Sequence, residues 1–447
     1  MHATTSSPGD PTSPVRRSSG PWAGGAIIVL ALLAFGVIEP DDGTATFLVL
    51  LGIAAIGYFA TLRQIANGLR PSGRALLACA ALAVVWRVPL ILAPPERGAD
   101  VRRYVWDAHL VRAGLSPYRV IPADPAFAHL RTAENWPVNN PDVASPYPPG
   151  AQLFFLAATA VHESTRAIKA ALLVCDALLA FVIWRRLRAV GGNPGWVLAY
   201  LWNPLVSLEV ARHGHLDVVG ALCLAFAVLA LVRGRLLFGS IGFVLSLAVK
   251  PLPIVLLPLL FRRVSRWDVA AGVAVLAALN LPFWNGGGLP IGSLPQVVER
   301  FRFNGPIFTA AASVAGPVAA TALAILVGLA VAALARRRLS VAAPEAWTWP
   351  MAAALLCAPL IYPWYLVWLT PFLASAATMP LTIWTVSILS TYVVWQLPAG
   401  RWAVPGWALL VEYGALLGAA SWLSWRRKGA RWAQEVSSSP VPPSSVP

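Results

Sequence analysis

Charge is scarce in this chain. Only 12% of its 447 residues are Asp, Glu, Lys or Arg, about half of what a soluble chain of this length carries. That scarcity excludes an ordinary soluble enzyme. Cysteine is scarce too. Cys79, Cys175, Cys223 and Cys357 all lie in apolar stretches with neither disulfide nor metal-ligand spacing, which excludes a disulfide scaffold and makes all four packing residues. No internal repeat is visible, which counts against a transporter built from paired halves. No small-residue cleavage site follows the apolar run Pro21 to Ile38, so that run reads as an anchor and not as a signal peptide. Acidic residues number 19 against 34 basic ones, a net charge of +15. The basic residues fall in short clusters between apolar runs. That is the positive-inside pattern of a membrane protein, and nucleic acid is not an expected partner.

What is abundant is apolar sequence. Hydrophobic residues make up 58% of the chain and Trp is present 20 times; mean hydropathy is +0.67. Runs of about 18 or more apolar residues, each long enough to span a bilayer as a helix, recur from residue 21 to residue 425. The expected fold class is all-α: a polytopic membrane protein with about twelve crossings plus two partial ones. Residues 1–20 and 426–447 are expected to be disordered cytoplasmic tails flanking a transmembrane domain over 21–425. Arg16 and Arg17 before the first run, Arg63, Arg70 and Arg74 after the second, Arg336 to Arg338 and Arg426 to Lys428 place both termini in the cytoplasm. Full crossings are expected at 195–210, 307–335 and 364–378, among others. Gly150 to Val161 is too short to cross alone. Proline should break the run Leu237 to Phe261 at Lys250-Pro-Leu-Pro253.

The exception to this economy of polar residues is an outer segment over 95–146. It holds six acidic residues, Glu96, Asp100, Asp107, Asp124, Glu134 and Asp142. A loop of this length among short connections is usually functional. Asp100 lies just beyond the third span, where a carboxylate could act as a general base on a hydroxyl. Arg103 at i+3 would fix its rotamer and Asp107 at i+7 would share its face; an amphipathic surface helix with ordinary ion pairs is the plain alternative. Ser145-Pro-Tyr-Pro-Pro-Gly150 ends the loop, with Tyr147 either stacking on a sugar or held in a rigid turn.

Further on, Glu209, Arg212, His213, His215 and Asp217 gather at an outer junction. Their spacing permits a metal site, but residues two apart do not share a helical face. Hydrogen bonding to substrate or helix capping is therefore favoured, with no metal ligand assigned and no cofactor expected. Lys250 is one of three lysines and falls in the middle of an apolar run, where a charge costs roughly 3 kcal/mol unless paired or hydrated. It is the expected donor-phosphate ligand. Arg302, in a loop with Arg300 and Asn304, would be a second. Tyr362, Trp364 and Tyr365 form an outer aromatic turn, either interfacial anchors or a sugar-stacking wall.

In their order along the chain, Asp100 with Arg103, Tyr104 and Asp107, then Trp202-Asn-Pro204, Gly214-His-Leu-Asp217 and Tyr362-Pro-Trp-Tyr365 resemble the GT-C superfamily, in particular bacterial glycosyltransferase family 87, which includes mannosyltransferases. The resemblance covers about residues 75–425. It implies an inverting transfer of a hexose, mannose favoured, from a polyprenyl-phosphate donor to a lipid or glycan acceptor on the outer face of the cell membrane. It further implies Asp100 as catalytic base, Lys250, Arg302 and Arg103 as donor-phosphate ligands, and Tyr104, Asp107, Tyr147, His213, His215, Asp217, Tyr362, Trp364 and Tyr365 around sugar or acceptor. Gly-Ala-Asp100 stands where some relatives carry an acidic pair, which argues against a second catalytic acid and against divalent-metal dependence. A secondary transporter and a lipid-linked glycan polymerase or ligase are the alternatives.

Overall fold

The computed structural model describes residues 21–95, 99–284, 289–398 and 403–438. The N-terminal tail with Arg16 and Arg17, and Glu96 of the segment 95–146, lie outside the described residues. The chain is helical, and among the described residues the β-type pairing is a single parallel bridge between Phe303 and Leu360.

Among the described residues, six helical stretches are long and apolar enough to cross a membrane: Ala45–Ala66, Gly73–Leu92, Thr165–Ala189, Pro317–Arg338, Ala376–Gln396 and Gly406–Arg426. Leu30, Val37, Val49, Ile56 and Leu77 on the early helices are exposed, as a lipid-facing surface requires. Numbered from the N-terminus, α1 is Trp22–Ile38, α2 Ala45–Ala66, α3 Gly73–Leu92, α4 Asp100–Arg112, α5 Pro149–Ala158 and α6 Thr165–Ala189. Ser and Thr side chains cap α2, α3 and α6, accepting hydrogen bonds from the backbone NH of Phe47, Ala75 and Ala167, which satisfies donors that lack an intrahelical partner.

Three expected spans are corrected by proline and glycine. Residues 195–210 are not one helix. A 3-10 turn at Pro194–Val197, short α pieces at Leu198–Leu201 and Pro204–Val206, and a π-helix at Ser207–Arg212 share that stretch, because Pro204 cannot donate to the preceding turn and Asn203 caps a new start by accepting from Leu205 NH. The run 307–335 divides at Gly316, whose φ of 82° separates Pro306–Ala315 from Pro317–Arg338. The run 364–378 consists of 3-10 turns. The break at Lys250 is where the sequence placed it: a helix Leu236–Val249 ends there and 3-10 structure follows at Leu252–Leu256. At 10 residues, α5 is about 15 Å long, half of what a crossing needs.

Polar groups pin these broken pieces together. Arg87 and Asp176 form a buried pair at 2.8 Å, and Arg87 also donates to the Leu201 carbonyl. Trp202 donates to the Cys79 carbonyl with its ring against Gly25. Asn203 donates to Tyr58 and Thr385. The Trp-Asn-Pro motif is thus an anchor for irregular backbone, which membrane interiors tolerate only when its polar groups are satisfied within the protein.

Candidate active site

The site begins at the end of the π-helix. His213 NH donates to the Leu208 carbonyl at 3.0 Å, and His215 NH reaches back to the Glu209 carbonyl at 2.8 Å. This return needs a left-handed residue, supplied by Gly214 at φ 74°. The turn, not a helix, carries the two histidines. Their rings therefore approach to 5.9 Å, which overturns the argument that residues two apart cannot converge. The carboxylate of Glu209 lies between them: its Oε2 is 3.4 Å from His213 Nδ1 and 3.4 Å from His215 Nε2.

Asp100 opens α4 and meets this turn. Its Oδ2 is 3.4 Å from His215 Nδ1, and Oδ1 accepts a hydrogen bond from Asn139 Nδ2. Burial on its own would raise the pKa of Asp100. His215, Lys250 and Asn139 outweigh burial and hold it below the usual carboxylate value. Asp100 is thus an ionised carboxylate at neutral pH.

Asp217, the first residue of the helix Asp217–Val232, is fully buried. Lys250 Nζ donates to both of its oxygens, at 2.8 and 2.7 Å, and Trp368 donates to Oδ1 at 2.7 Å. The helices Asp217–Val232 and Leu236–Val249 pack together across the turn Arg233-Gly-Arg235. The end of the second therefore returns to the start of the first. Lys250 is not a separate mid-membrane feature; it belongs to the same locus as Asp100. Its ammonium lies 4.8 Å over the Tyr365 ring.

The aromatic turn closes the locus. Trp364 stacks on His215 with centroids 4.0 Å apart, Tyr362 stacks on Trp364 at 4.4 Å, and Phe303 stacks on Tyr362 at 4.6 Å. Tyr104 accepts from Leu216 NH and stacks on Phe155, while Tyr147 meets the Tyr104 ring edge-on. The Pro148-Pro149-Gly150 corner presses against the end of the Lys250 helix: a Cβ on Gly150 would lie 2.7 Å from the Ala248 carbonyl oxygen.

Three expected site residues lie elsewhere. Arg103 does not fix Asp100. Its Nε donates to Asp107 at 3.1 Å and its NH2 to the Val143 carbonyl, so it ties α4 to the loop, and at 2% exposure it has no face for a phosphate. Asp107 is fully buried and also accepts from Ser145 and Gln152. Burial raises its pKa against the pull of Arg103. The pair is a structural clasp: i+3 and i+4 neighbours are both within reach on a helix, but Asp107 and the Val143 carbonyl take the Arg103 guanidinium while Asp100 turns to Asn139 and His215. Arg302 is exposed; it donates to the Phe301 and Glu299 carbonyls and packs over Phe308.

Asp42, Asn139, Trp368 and Tyr392 join the site although the sequence did not single them out. Asp42 Oδ2 is 3.0 Å from His213 Nε2. Burial would lower the His213 pKa, but Asp42 and Glu209 raise it to about 10. Tyr392 donates to Glu209 Oε1 at 2.8 Å and lies 2.9 Å from His213 Nδ1. The acidic connection holding Asp42 was a visible signal. The other three are single polar or aromatic residues in polar or apolar runs, with nothing to mark them.

Residues 19–266 match the family model described as alpha-(1->6)-mannopyranosyltransferase, N-terminal domain. The chain is 26% identical over 361 residues to alpha-(1->6)-mannopyranosyltransferase A of Mycobacterium tuberculosis (strain ATCC 25618 / H37Rv), covering 70% of this chain and 68% of that one. No solved structure matches the chain. The family match spans more than half of the chain, including every residue from Asp42 to Lys250 described above. The chain belongs to the alpha-(1->6)-mannopyranosyltransferase family and is a membrane glycosyltransferase.

Proposed function

We propose, proceeding from that membership, that this chain transfers mannose from a polyprenyl-phosphate carrier to a lipid or glycan acceptor on the outer side of the membrane, forming an α-(1→6) linkage with inversion. The observation that carries the reading is the convergence of Asp100, the Lys250–Asp217 pair and the stacked Trp364–Tyr362 on one locus, although they lie far apart in sequence. Asp100 takes the proton of the acceptor hydroxyl as that oxygen attacks the anomeric carbon. The bond from that carbon to the phosphate oxygen breaks, and charge develops on the leaving phosphate. Lys250 is the cation placed to stabilise that charge. Trp364 and Tyr362, each partly exposed at the edge of their stack, form the wall beside the sugar. Inversion yields an α-linked product only from a β-linked donor phosphate.

The test is transfer by the purified full chain, with synthetic β- and α-configured polyprenyl-phosphate mannose offered separately. Product from the β donor alone is expected. Asp100→Asn is expected to lower the rate by about 10²–10⁴-fold, the range of a lost general base, with donor binding retained. Full activity in Asp100→Asn, or equal use of both anomers, overturns the mechanism.

A further inference from the structure

We infer that Glu209, His213 and His215 form a divalent-cation site, suited to zinc, beside Asp100. This inference stands on the geometry of these side chains and not on the proposed reaction. One ligand atom from each of Glu209, His213 and His215 lies within 4.8 Å of the other two, and Glu209 Oε2 faces His213 Nδ1 and His215 Nε2. Two of the three separations are 3.4 Å. That is long for a hydrogen bond, but bonds of about 2.0–2.1 Å at tetrahedral angles put ligand atoms about 3.3–3.4 Å apart.

The surroundings complete the pattern. A histidine that binds a metal through one ring nitrogen usually donates the other N–H to a carboxylate, which fixes its tautomer. Both histidines face a carboxylate with the ring nitrogen turned away from Glu209. His213 turns Nδ1 to Glu209 and Nε2 to Asp42 at 3.0 Å; His215 turns Nε2 to Glu209 and Nδ1 to Asp100 at 3.4 Å. Tyr392 hydrogen-bonds Glu209 Oε1, so the carboxylate itself is oriented. Arg212 approaches Asp42 Oδ1 at 3.6 Å and holds that carboxylate from the side away from the histidines. Two histidines and one glutamate are the ligand set of hydrolytic zinc sites that keep a fourth position for water or a substrate oxygen. Here that fourth position would belong to water or to an oxygen of donor or acceptor.

The full chain, purified in detergent and stripped with a chelator, is dialysed against zinc chloride and its metal content measured by mass spectrometry. One zinc per chain is expected. His213→Ala and His215→Ala should reduce zinc to a trace, whereas His162→Ala, a change at an exposed ring, should leave it intact. Asp42→Asn, which keeps all three ligands, should weaken zinc binding by about 10–100-fold, as loss of an orienting carboxylate does. Wild type loaded with cobalt(II) should show the intense visible absorption of a tetrahedral ion, a readout that needs no variant to fold. A wild type that retains no zinc, a weak octahedral cobalt spectrum, or zinc retained in both histidine variants overturns the site. Since metal content and colour are measured apart from transfer, failure of the proposed reaction and failure of the metal site are separately visible.

Discussion

Lys250 illustrates how a single residue's meaning depends on its partner. An unpaired ammonium within an apolar run is costly; held at 2.7 Å from Asp217, it neutralises a carboxylate that is fully buried. Lys250→Ala should therefore destabilise the protein by about 3–5 kcal/mol, the cost of leaving one member of a buried pair behind, and abolish transfer. The double change Lys250→Met with Asp217→Asn should recover most of the stability and none of the transfer. Thermal unfolding in detergent beside a transfer assay checks this, and recovery of activity in the double variant would remove Lys250 from phosphate binding. Trp364 is the second residue of this kind. Its stack on His215 is worth about 0.5–1.5 kcal/mol beyond area burial, and Trp364→Ala should raise the KM for donor or acceptor more than it lowers thermal stability.

At the scale of elements, the site is built from interruptions. The π-helix Ser207–Arg212 runs into a left-handed glycine, and π segments often mark functional sites because they re-aim side chains. Gly214→Ala would force φ near 74° on a residue whose Cβ would lie 3.2 Å from Lys169, at a cost of about 1–2 kcal/mol, and would shift His215 away from Asp100. The expected outcome is a stable protein with strongly reduced transfer. Lys169 itself is buried and donates to the Leu90 and Ala93 carbonyls, so the end of α3 is fixed just before Asp100. At the Pro-Pro-Gly corner, Gly150→Ala would drive a methyl into the Ala248 carbonyl. Overpacking of about 1–3 kcal/mol is expected, read out as a lower unfolding temperature together with a displaced Lys250.

At the scale of the whole molecule, the orientation of the site across the membrane is part of the proposal. A single cysteine introduced as Arg119→Cys in the exposed outer segment, in a background lacking the four native cysteines, should react with an impermeant thiol reagent in intact cells. Arg337→Cys should react only after the membrane is opened. The opposite pattern would place Asp100 on the cytoplasmic face and exclude an outer-leaflet donor.

The membrane class, the helical architecture and the break at Lys250 were legible in the sequence, because hydrophobic run length and proline act locally. Asp100, the Glu209–Asp217 cluster and the Tyr362–Tyr365 turn could be singled out as candidates, since polar groups in an apolar chain stand out against their background. Their grouping was not legible. Arg103 belongs to Asp107 and not to Asp100; His213 and His215, which helical geometry would set apart, converge through a glycine turn; Asp42 comes from the connection after α1 and Tyr392 from the 3-10 helix Ile388–Gln396. Sequence by itself determined that this protein lives in a bilayer and spends few charges there. Only the tertiary structure decided that those charges meet, because ion pairing and ring stacking act through space between segments whose separation along the chain carries no record of their contact.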